Sequence, residues 1–363
     1  MSVKHHHPQK LLLDGMPVDY NQFGQELEYA QYALGRLEEA QRRLGNARLL
    51  VSPLTAKEAE VSSRIEGTQT TASEMFAFEA GAEPQHSSDA RQVSNYRGAM
   101  TYAMNQLEQG RNISSHLIKT LQQRLLTGVR HEGQLGNFRQ KKVWIAEKRG
   151  DPIEKAIYVP PEHILVQDYM DNLLSYIENG KESALIKAGI VHYQFEAVHP
   201  FEDGNGRIGR LMIPLVLCQK QKLSQPILYV SGYFDAHRDE YLDALHGVDK
   251  TDKFEPWLAF FLKSVSEQLK ETQNLVENVQ KLHADILKRF DKVKSPYLHK
   301  FVYLLFKKPV FTTDDVTAIG ASSSLTITRL KDLLIEQKVI EEMPFRLGRF
   351  KLYRFNLLLD LIK

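Results

Sequence analysis

The sequence predicts a mainly α-helical protein with one small β-hairpin near its middle and a mixed α+β segment at its end. Three observations support this fold class. Apolar residues recur three and four apart before about residue 130 and again over residues 160–290, as on the buried face of a helix. A stretch between these regions mixes β-branched and aromatic residues with Gly and Pro. After residue 294 the two patterns alternate over short distances.

The first part of the chain predicts four helices. The first covers "QELEYAQYALGRLEEAQRRLGNARLL". The second covers "SPLTAKEAEVSSRIEGT", in which Ser52 and Pro53 are typical of a helix start and Gly67 of a helix end. The third, "HSSDARQVSNYRGAMTYAMNQLEQG", ends at Gly110, and the fourth, "SSHLIKTLQQRLLTGV", begins after Ser114 or Ser115.

The middle of the chain predicts a hairpin followed by further helices. Strands are expected at Lys142–Ala146 and Ala156–Val159, joined by a polar loop. Helical spacing resumes in "HILVQDYMDNLLSYIENG", "SALIKAGIVHYQFEAVHPF" and "GRLMIPLVLCQKQ". Three more helices are predicted at Asp239–Gly247, Pro256–Phe261 and Lys263–Lys294.

The end of the chain has the element order of a winged helix. "PYLHKFVYLLFKKP", "TTDDVTAIG" and "SSSLTITRLKDLLIEQKVI" predict three helices, and "EEMPFRLGRFKLYRF" predicts a hairpin that turns at Gly348. A helix followed by a helix–turn–helix and a hairpin is typical of that fold.

Composition limits the classes of function. The chain has 363 residues, so two or three domains are expected. Its 42% hydrophobic and 25% charged residues are ordinary for a globular protein, and a net charge of +2 does not indicate a polyanion-binding chain. Cys218 is the single cysteine, which excludes an internal disulfide and fits a reducing cytosol. No targeting segment or apolar run of membrane-spanning length is visible, so we expect a cytoplasmic protein with no membrane contact.

The stretch "HPFEDGNGRIGR", residues 199–210, concentrates the chemistry of a phosphate site between two helices. Gly204, Asn205 and Gly206 precede a helix whose free N–H groups and positive dipole end suit an anion. Arg207 and Arg210 share one helical face and can reach the same phosphate. The carboxylate of Asp203 suits Mg²⁺ or Mn²⁺ bridging phosphates. Histidine is the side chain whose ordinary pKa lies nearest neutrality, so His199 is a candidate general base.

Other nucleotide and metal motifs fit less well. "GNGRIG" satisfies G-x-G-x-x-G and ends at Gly209, but it follows a helix and not a strand, and no acidic residue lies at the expected distance. The phosphate-binding pattern G-x-x-x-x-G-K-[ST] and zinc-binding patterns such as H-E-x-x-H are absent.

The same stretch closely resembles the signature of the Fic family, H-P-F-x-D-G-N-G-R-x-x-R, at every fixed position. The resemblance covers residues 113–262 and implies a helical core that transfers AMP from ATP to a Ser, Thr or Tyr hydroxyl of a protein, with a divalent metal. It implies that His199 is the base, that Asp203 binds the metal and that Phe201 anchors the loop. It further implies that the backbone of residues 204–206 forms the anion hole and that the two arginines contact phosphates.

Three further segments resemble parts of Fic proteins. The predicted hairpin lies where the family carries a flap, which implies that a target segment is held by strand addition. "ILYVSGYFDAHRDEYLDAL" resembles the adenine side and implicates Tyr229, Tyr233 and Tyr241, with His237 as a base contact although many relatives have Asn there. "SSRIEG" matches the inhibitory motif [S/T]-x-x-x-E-[G/N], which implies that Glu66 competes with the γ-phosphate of ATP for Arg210.

These readings give four segments and three functional hypotheses. The expected segments are an N-terminal helical region (1–112), the catalytic core (113–262), a linker helix (263–294) and a winged helix (295–363). The main hypothesis is an autoinhibited protein adenylyltransferase that modifies other proteins and itself. The alternatives are a DNA-binding regulator whose core senses nucleotide, and a hydrolase that removes AMP with Glu66 positioning water.

The charge of the last segment is the basis for choosing between two predicted functions, DNA binding and protein contact. Residues 294–363 hold 12 Lys and Arg against 7 Asp and Glu, and several of the cations are predicted on the wing and recognition helix. Such residues would meet DNA phosphates. The charge is modest and Asp332 and Glu336 lie on the same helix, which favours a protein-contact or dimerisation module. A homodimer is the expected assembly, because closed twofold dimers are the commonest oligomers.

Overall fold

Helices form most of the chain in the computed structural model, which describes residues 4–43, 48–146, 150–319, 324–347 and 350–363. This confirms the predicted mainly α-helical class. Within these ranges the α-helices are α1 (Gly24–Arg43), α2 (Arg48–Ile65), α3 (Ala72–Glu79), α4 (Ser87–Glu108), α5 (Ser115–Leu126), α6 (Val166–Asn179), α7 (Ala184–Val198), α8 (Asn205–Gln219), α9 (Ser231–Ala236), α10 (Arg238–Thr251), α11 (Glu255–Arg289), α12 (Leu298–Lys307), α13 (Thr313–Thr317), α14 (Ser324–Glu336) and α15 (Asn356–Leu361).

Short strands and 3-10 turns complete the described secondary structure. The strands are β1 (Ile145–Ala146), β2 (Ala156–Tyr158), β3 (Val310–Thr312), β4 (Glu341–Leu347) and β5 (Phe350–Arg354), and the 3-10 helices are Tyr20–Gln22, Ile153–Lys155 and His163–Leu165. In the ranges that the structure covers, none of the helices is long and apolar enough to cross a membrane.

Contacts divide the chain into two units. The first combines Met1–Glu38 with Gly98–Leu269, and the second combines Glu39–Arg97 with Lys270–Lys363. The second unit brings two distant parts of the chain together, because α2 packs on α12 and α3 packs on β3. The four segments predicted from the sequence divide the chain differently and stay a prediction.

Helix α7 lies at the centre of the first unit. Thirteen of its 15 residues are buried, around its whole circumference, and α6 and α8 pack against it. A helix that is apolar on every side belongs in a core. Gly189 allows the closest approach, because a Cβ there would lie 2.8 Å from Cδ1 of Phe261 and 3.2 Å from Cδ2 of Leu258. The indole of Trp257 donates a hydrogen bond to the carbonyl of Gly189 at 2.9 Å.

The predicted hairpin is present but shorter than expected. Strands β1 and β2 pair antiparallel, with Ile145 opposite Tyr158 and Ala146 opposite Ala156. A register irregularity lies between the two residues of β1. Just before β1, the indole of Trp144 donates to the carbonyl of Asp151 at 2.8 Å. Residues 147–149 of the connecting loop lie outside the described residues. We call residues 138–161 the flap segment.

Helix α11 corrects one prediction. The sequence analysis placed a break near Leu262, whereas the structure has one helix of 35 residues. No Gly or Pro lies at that point, and Leu262, Val265 and Leu269 continue the buried face of Trp257 and Phe261. The hydroxyl of Ser264 bonds back to the carbonyl of Phe261 at 2.6 Å, so the helix accommodates this polar residue without interruption.

The C-terminal part of the second unit is a helical cluster with a three-stranded antiparallel sheet in the order β3-β5-β4. The sequence analysis did not predict β3 or α15, because each is too short to produce a periodic pattern. The side chain of Thr312 accepts from the N–H of Asp315 at 3.3 Å, and the N–H of Thr312 donates to the carboxylate of Asp315 at 3.0 Å. This reciprocal pair caps the start of α13. The predicted turn at Gly348 lies outside the described residues, and the winged-helix assignment stays a prediction.

A pair of glycine substitutions tests the packing of α7. Gly189→Ala should lower the free energy of unfolding by about 1–3 kcal/mol, because the new methyl group overlaps Phe261. Gly247→Ala in α10 is the matched control, since no atom lies within 4 Å of a Cβ there. It should stabilise by about 0.5–1 kcal/mol through helix propensity. Urea denaturation of both variants measures the difference, and equal effects at both positions would contradict this account of the core.

Candidate active site

The candidate base lies at the sharp end of α7. His199 follows the last helical residue and adopts a left-handed conformation, with φ 49° and ψ 62°. A residue with a Cβ pays roughly 1–2 kcal/mol for this conformation, so the surroundings must hold it in place. Its N–H still donates to the carbonyl of Phe195 at 3.0 Å, while its half-buried imidazole Nδ1 lies 3.4 Å from the carbonyl of Glu196. The backbone therefore turns sharply at the residue that would accept a proton.

The loop after His199 is closed by one side chain. The amide of Asn205, which is 3% exposed, accepts from the N–H of Phe201 at 2.9 Å and donates to the Phe201 carbonyl at 2.9 Å. The ring of Phe201 is fully buried, with centroids 5.4 Å from Phe138 and 6.4 Å from Phe195. These contacts fix both ends of the loop, and they support the anchor role that the sequence predicts for Phe201.

Gly204 places the start of α8 in this loop. Its φ is +86°, a left-handed conformation that glycine adopts without steric cost, and a Cβ would lie 3.2 Å from Cδ2 of Leu125. Helix α8 begins directly after Gly204. The N–H groups of the first turn of a helix, here from Asn205 and Gly206 onward, suit an anion.

Two buried guanidinium groups follow on α8. Arg207 is 4% exposed and Arg210 is 2% exposed. Nη2 of Arg207 lies 3.5 Å from Oδ1 of Asp203, whose side chain is 11% exposed. The carbonyl of Asp203 accepts from the amide of Gln122 on α5 at 3.3 Å. Two guanidinium forks on the first turns of one helix, beside the glycine loop, are suited to a ligand with several negative charges.

At position 209 there is no room for a side chain beside the carboxyl group of Glu196, which favours glycine there. A Cβ at this position would lie 2.2 Å from Oε1 of Glu196 on α7. The helices α7 and α8 approach so closely here that the Glu196 carboxyl group fills the space next to the glycine. Gly209 thus contributes to the packing of the two helices that carry His199 and the arginines.

The predicted adenine contacts fall into a half-buried pair and a buried group. Tyr233 stacks on His237 with centroids 3.9 Å apart, and both rings are partly exposed. Tyr229 and Tyr241 are buried. The ring of Tyr241 stacks on Phe234, and its hydroxyl lies 2.9 Å from Nε2 of His192.

His192 is the hydrogen-bond partner of the Tyr241 hydroxyl in the core. Burial lowers the pKa of the fully buried His192 to about 3, so this imidazole is neutral at physiological pH. Tyr241 therefore serves the described fold as a core residue, whereas the pair of Tyr233 and His237 has faces that a base can stack on.

The predicted inhibitory residue lies in the other unit. Glu66 follows the last residue of α2, and its exposed side chain precedes Gly67, where φ is +96°. The N–H groups of Glu66 and Gly67 bond back to Ser63 and Arg64 at 3.0 and 2.9 Å. The structure thus brings His199, Asp203, the loop glycines and both arginines together on the α7–α8 turn, while Glu66 ends a helix of the second unit.

Sequence reasoning missed three residues that fix this turn, namely Gln122, Arg139 and Tyr158. Gln122 bridges α5 to the loop, because its Oε1 accepts from the N–H of Gly136 at 2.7 Å while its Nε2 bonds to Asp203. Arg139 and Tyr158 bind carbonyl groups of residues 197–199. Their contacts are with backbone far away in sequence, so no local pattern indicates them.

The chain matches two family models in sequence. Residues 25–105 match the Fic/DOC family N-terminal region, and residues 112–217 match the Fic/DOC family itself. The second match contains the whole α7–α8 turn described above. The chain belongs to the Fic/DOC family.

Curated relatives share the central part of this Fic protein. The chain is 29% identical over 99 residues to the probable protein adenylyltransferase aq_aa38 of Aquifex aeolicus (strain VF5), which is 27% of this chain and 31% of that protein. It is 31% identical over 108 residues to protein adenylyltransferase fic-1 of Caenorhabditis briggsae, which is 29% of this chain and 20% of that protein. The chain therefore spans less than a third of the length of either relative.

Solved structures share the fold. A Fic family protein from Desulfovibrio desulfuricans G20 has a TM-score of 0.60 and 21% identity, over 96% of this chain and 98% of that one. A Fic domain containing signaling protein from Bacteroides thetaiotaomicron VPI-5482 has a TM-score of 0.54 and 17% identity, over 70% of this chain and 97% of that one. The first likeness extends over almost the whole chain, so the fold of the Fic core and its flanking helices is shared.

Asn205 provides a test of the loop geometry. Asn205→Ala leaves the buried N–H and carbonyl of Phe201 without their partner, so it should lower the free energy of unfolding by about 1–3 kcal/mol and weaken ATP binding. Asn137→Ala, at an exposed asparagine with one local hydrogen bond, is the matched control and should change neither quantity. Denaturation and calorimetric ATP titration measure both. An Asn205→Ala protein with unchanged stability and ATP affinity would show that the loop does not need this closure.

Proposed function

We propose that this Fic protein transfers AMP from ATP to the hydroxyl group of a Ser, Thr or Tyr residue of a protein, itself included. The observation that carries the proposal is the complete signature on the α7–α8 turn, with His199 at the end of one helix and the anion loop at the start of the next. The names of the two curated relatives, both protein adenylyltransferases, agree with it.

The reaction needs one base and one aligned phosphate. His199 takes the proton from the target hydroxyl, and the oxygen forms a bond to the α-phosphorus of ATP. The bond between that phosphorus and the bridging oxygen to the β-phosphate breaks, and pyrophosphate leaves with the electron pair. The base ends protonated, and the target carries AMP through a phosphodiester bond.

Alignment comes from the loop and from α8. The N–H groups at the start of α8 bind phosphate oxygens, and the buried arginines bind the β- and γ-phosphates through their planar forks. Because these donors are fixed before ATP arrives, little reorganisation is needed when charge develops on the leaving group. Tyr233 and His237 present stacked aromatic faces to the nucleotide base.

A divalent metal, Mg²⁺ or Mn²⁺, fits this site with Asp203 as its protein ligand. In the part of the chain that the structure covers, no group of three or more His, Cys, Asp or Glu side chains could hold a metal by itself. A nucleotide site does not require such a group, since Mg²⁺ is usually bound by one or two carboxylates together with substrate phosphates and water. When bound, the ion would offset charge on the phosphates.

The flap segment is the proposed dock for the target. A peptide can add as a strand to the edge of a two-stranded hairpin, with main-chain hydrogen bonds providing the register. Ile157 of β2 is 55% exposed, and the adjacent Trp144 is 40% exposed. These side chains give an apolar surface beside the strand edge, which supports a target segment of extended conformation.

The ion pairs of the C-terminal module favour protein contact over DNA binding as its role. Lys331 of α14 lies 3.2 Å from the carboxylate of Asp332. On the sheet, Lys351 pairs with Glu342 at 2.9 Å and Arg354 pairs with Glu341 at 3.1 Å. These carboxylates neutralise the basic side chains that would otherwise bind DNA phosphates. The side chains of Arg346 and Arg349 on the predicted wing lie outside the described residues.

The role of His199 is tested by substitution. His199→Ala should lose about 10²–10⁴-fold in the rate of AMP incorporation, because that is the usual cost of removing a general base. ATP affinity should stay near the wild-type value, since the anion loop and arginines remain. ATP labelled at the α-phosphate measures incorporation into the protein itself and into lysate, and calorimetry measures binding.

His116→Ala is the control, because His116 is an exposed histidine of the same unit on α5. A folded His199→Ala protein that incorporates AMP as fast as the wild type would rule out the assignment. A wild type that binds ATP but never incorporates label would favour the nucleotide-sensing regulator.

Inhibition by Glu66 is the second part of the proposal, and it is supported by the motif and by charge. Arg210 can donate its fork to one carboxylate or to one γ-phosphate, not fully to both. A carboxylate in that place would leave ATP bound with its α-phosphate misaligned. Because Glu66 ends a helix, its removal leaves His199, Asp203 and the loop intact.

Glu66→Gly should therefore increase AMP incorporation by about 10- to 100-fold, mainly through turnover, because small misplacements of reacting atoms cost about that much. Arg210→Ala should not reproduce the gain, since it removes the phosphate contact as well. Incorporation rates of the wild type, both single variants and the double variant measure this.

Glu83→Gly, at an exposed glutamate between α3 and α4, is the matched control. A folded Glu66→Gly protein no faster than the wild type would make "SSRIEG" an ordinary helix end. Release of label from pre-modified protein, in wild type but not in Glu66→Gly, would favour the AMP-removing hydrolase.

A further inference from the structure

The carbonyl groups at the end of α7 are bound by the flap segment. A helix leaves its last carbonyls without partners inside the helix, and buried carbonyls need donors. Here four successive residues before the anion loop find them in the flap segment. The Tyr158 hydroxyl donates to Ala197 (2.8 Å), the guanidinium of Arg139 donates to Val198 (3.2 Å) and His199 (2.8 Å), and the Arg139 N–H donates to Pro200 (2.9 Å).

Arg139 also holds the two ends of the flap segment together. Its Nη1 donates to the carbonyl of Lys141 at 3.3 Å, and its Nη2 donates to the carbonyl of Pro161 at 2.6 Å. One guanidinium thus contacts the backbone where the hairpin begins, where it ends, and at His199. Only a planar fork with five N–H donors can serve so many acceptors at once.

The buried charge of Arg139 lies at the carboxyl end of α7, where a positive charge is stabilised. The side chain is 3% exposed, and burial lowers its pKa to about 10, so it stays protonated at neutral pH. The carboxyl end of α7 carries the negative end of the helix dipole, which attracts a cation. Among the described residues the hydrogen bonds of this guanidinium all go to carbonyl oxygens, so the cation acts on backbone geometry.

We propose that Arg139 is a positioning residue for His199, and that through it the base of the flap segment fixes the backbone that carries the general base. The proposal rests on the proposed function, because it takes His199 as that base. The left-handed conformation of His199 is unfavourable by itself. The bonds of Arg139 to Val198 and His199 hold it, together with the Arg139 N–H bond to Pro200. A target strand that orders the flap segment would therefore also order the catalytic turn.

The direct test is Arg139→Lys, which keeps the charge but replaces the planar fork with three N–H donors on one nitrogen. The turnover of AMP incorporation should fall about 10- to 100-fold, while the KM for ATP changes by less than about threefold, because the phosphate donors on α8 are untouched. Rates are measured with α-labelled ATP in both the wild-type and the Glu66→Gly backgrounds. Arg130→Lys, at an exposed arginine nine residues earlier, is the matched control and should match its parent.

A second readout does not depend on activity. The imidazole signal of His199 in the NMR spectrum is identified by its loss in His199→Asn, and it should shift or broaden in Arg139→Lys but not in Arg130→Lys. Tyr158→Phe is a milder variant that removes only the bond to Ala197, so it should fold even if Arg139→Lys does not. It should give a smaller change of the same kind in turnover and in the His199 signal.

The outcomes separate the two proposals. A folded Arg139→Lys, or a folded Tyr158→Phe if the former does not fold, with parental turnover and an unchanged His199 signal overturns the positioning role. A lower melting temperature with unchanged turnover of the folded protein also overturns it, since this is what a purely structural residue gives. Parent proteins that incorporate no AMP, while the His199 signal still responds to Arg139→Lys, would overturn the transfer proposal and support the positioning role.

Discussion

The end of α7 is buried, and its carbonyl groups must therefore be bound by donors from elsewhere in the fold. An exposed helix end would leave this to water, but here the donors come from Arg139 and Tyr158, which lie 60 and 39 residues away in sequence from the carbonyls of His199 and Ala197. This requirement joins the hairpin to the α7–α8 turn. The same turn carries the proposed base and the proposed anion loop, so the arrangement of the candidate active site depends on hydrogen bonds outside the signature.

Buried cations divide into two kinds in the first unit. Arg139 is surrounded by backbone carbonyls, and its charge stabilises a helix end. Arg207 and Arg210 are buried to a similar degree, but they lie on the helix that starts at the glycine loop, and Arg207 faces the carboxylate of Asp203. Backbone carbonyls suit a permanent structural role, whereas a loop of N–H groups beside two guanidinium forks suits a ligand that brings several negative charges. Burial alone would not distinguish Arg139 from Arg207, but their partners do: carbonyl groups surround Arg139, whereas a carboxylate lies beside Arg207.

Some local features are predicted by the sequence because their causes are local, whereas the helix start predicted at Ser52 and Pro53 is wrong, since α2 begins at Arg48 and contains Pro53. Ser114 caps α5 and the glycines after α2 and α4 adopt positive φ, as their residue types indicate. The helix break predicted near Leu262 was wrong, because the polar residues there fit a continuing helix. The α7–α8 turn is readable since its chemistry is compressed into 12 residues. Arg139 was missed because, apart from Lys141, its partners lie 22 to 61 residues away, and only the fold brings them together.

Helix α2, which carries the motif proposed to be inhibitory, is held by contacts with the C-terminal part of the chain. Helix α2 packs against α12, and the hydroxyl of Ser52 donates to the carbonyl of Lys307 at 2.7 Å. Further along α2, the ammonium of Lys57 donates to the carbonyl of Lys363 at 3.1 Å. Near the end of the helix, Ser62 and Ser63 are fully buried, whereas Glu66 after the last turn is exposed. The buried serines of the motif are thus held by packing within the second unit. Because residues of α12 and of the end of the chain contribute to that packing, the position of α2 within its unit depends on the C-terminal part of the chain as well as on the motif itself.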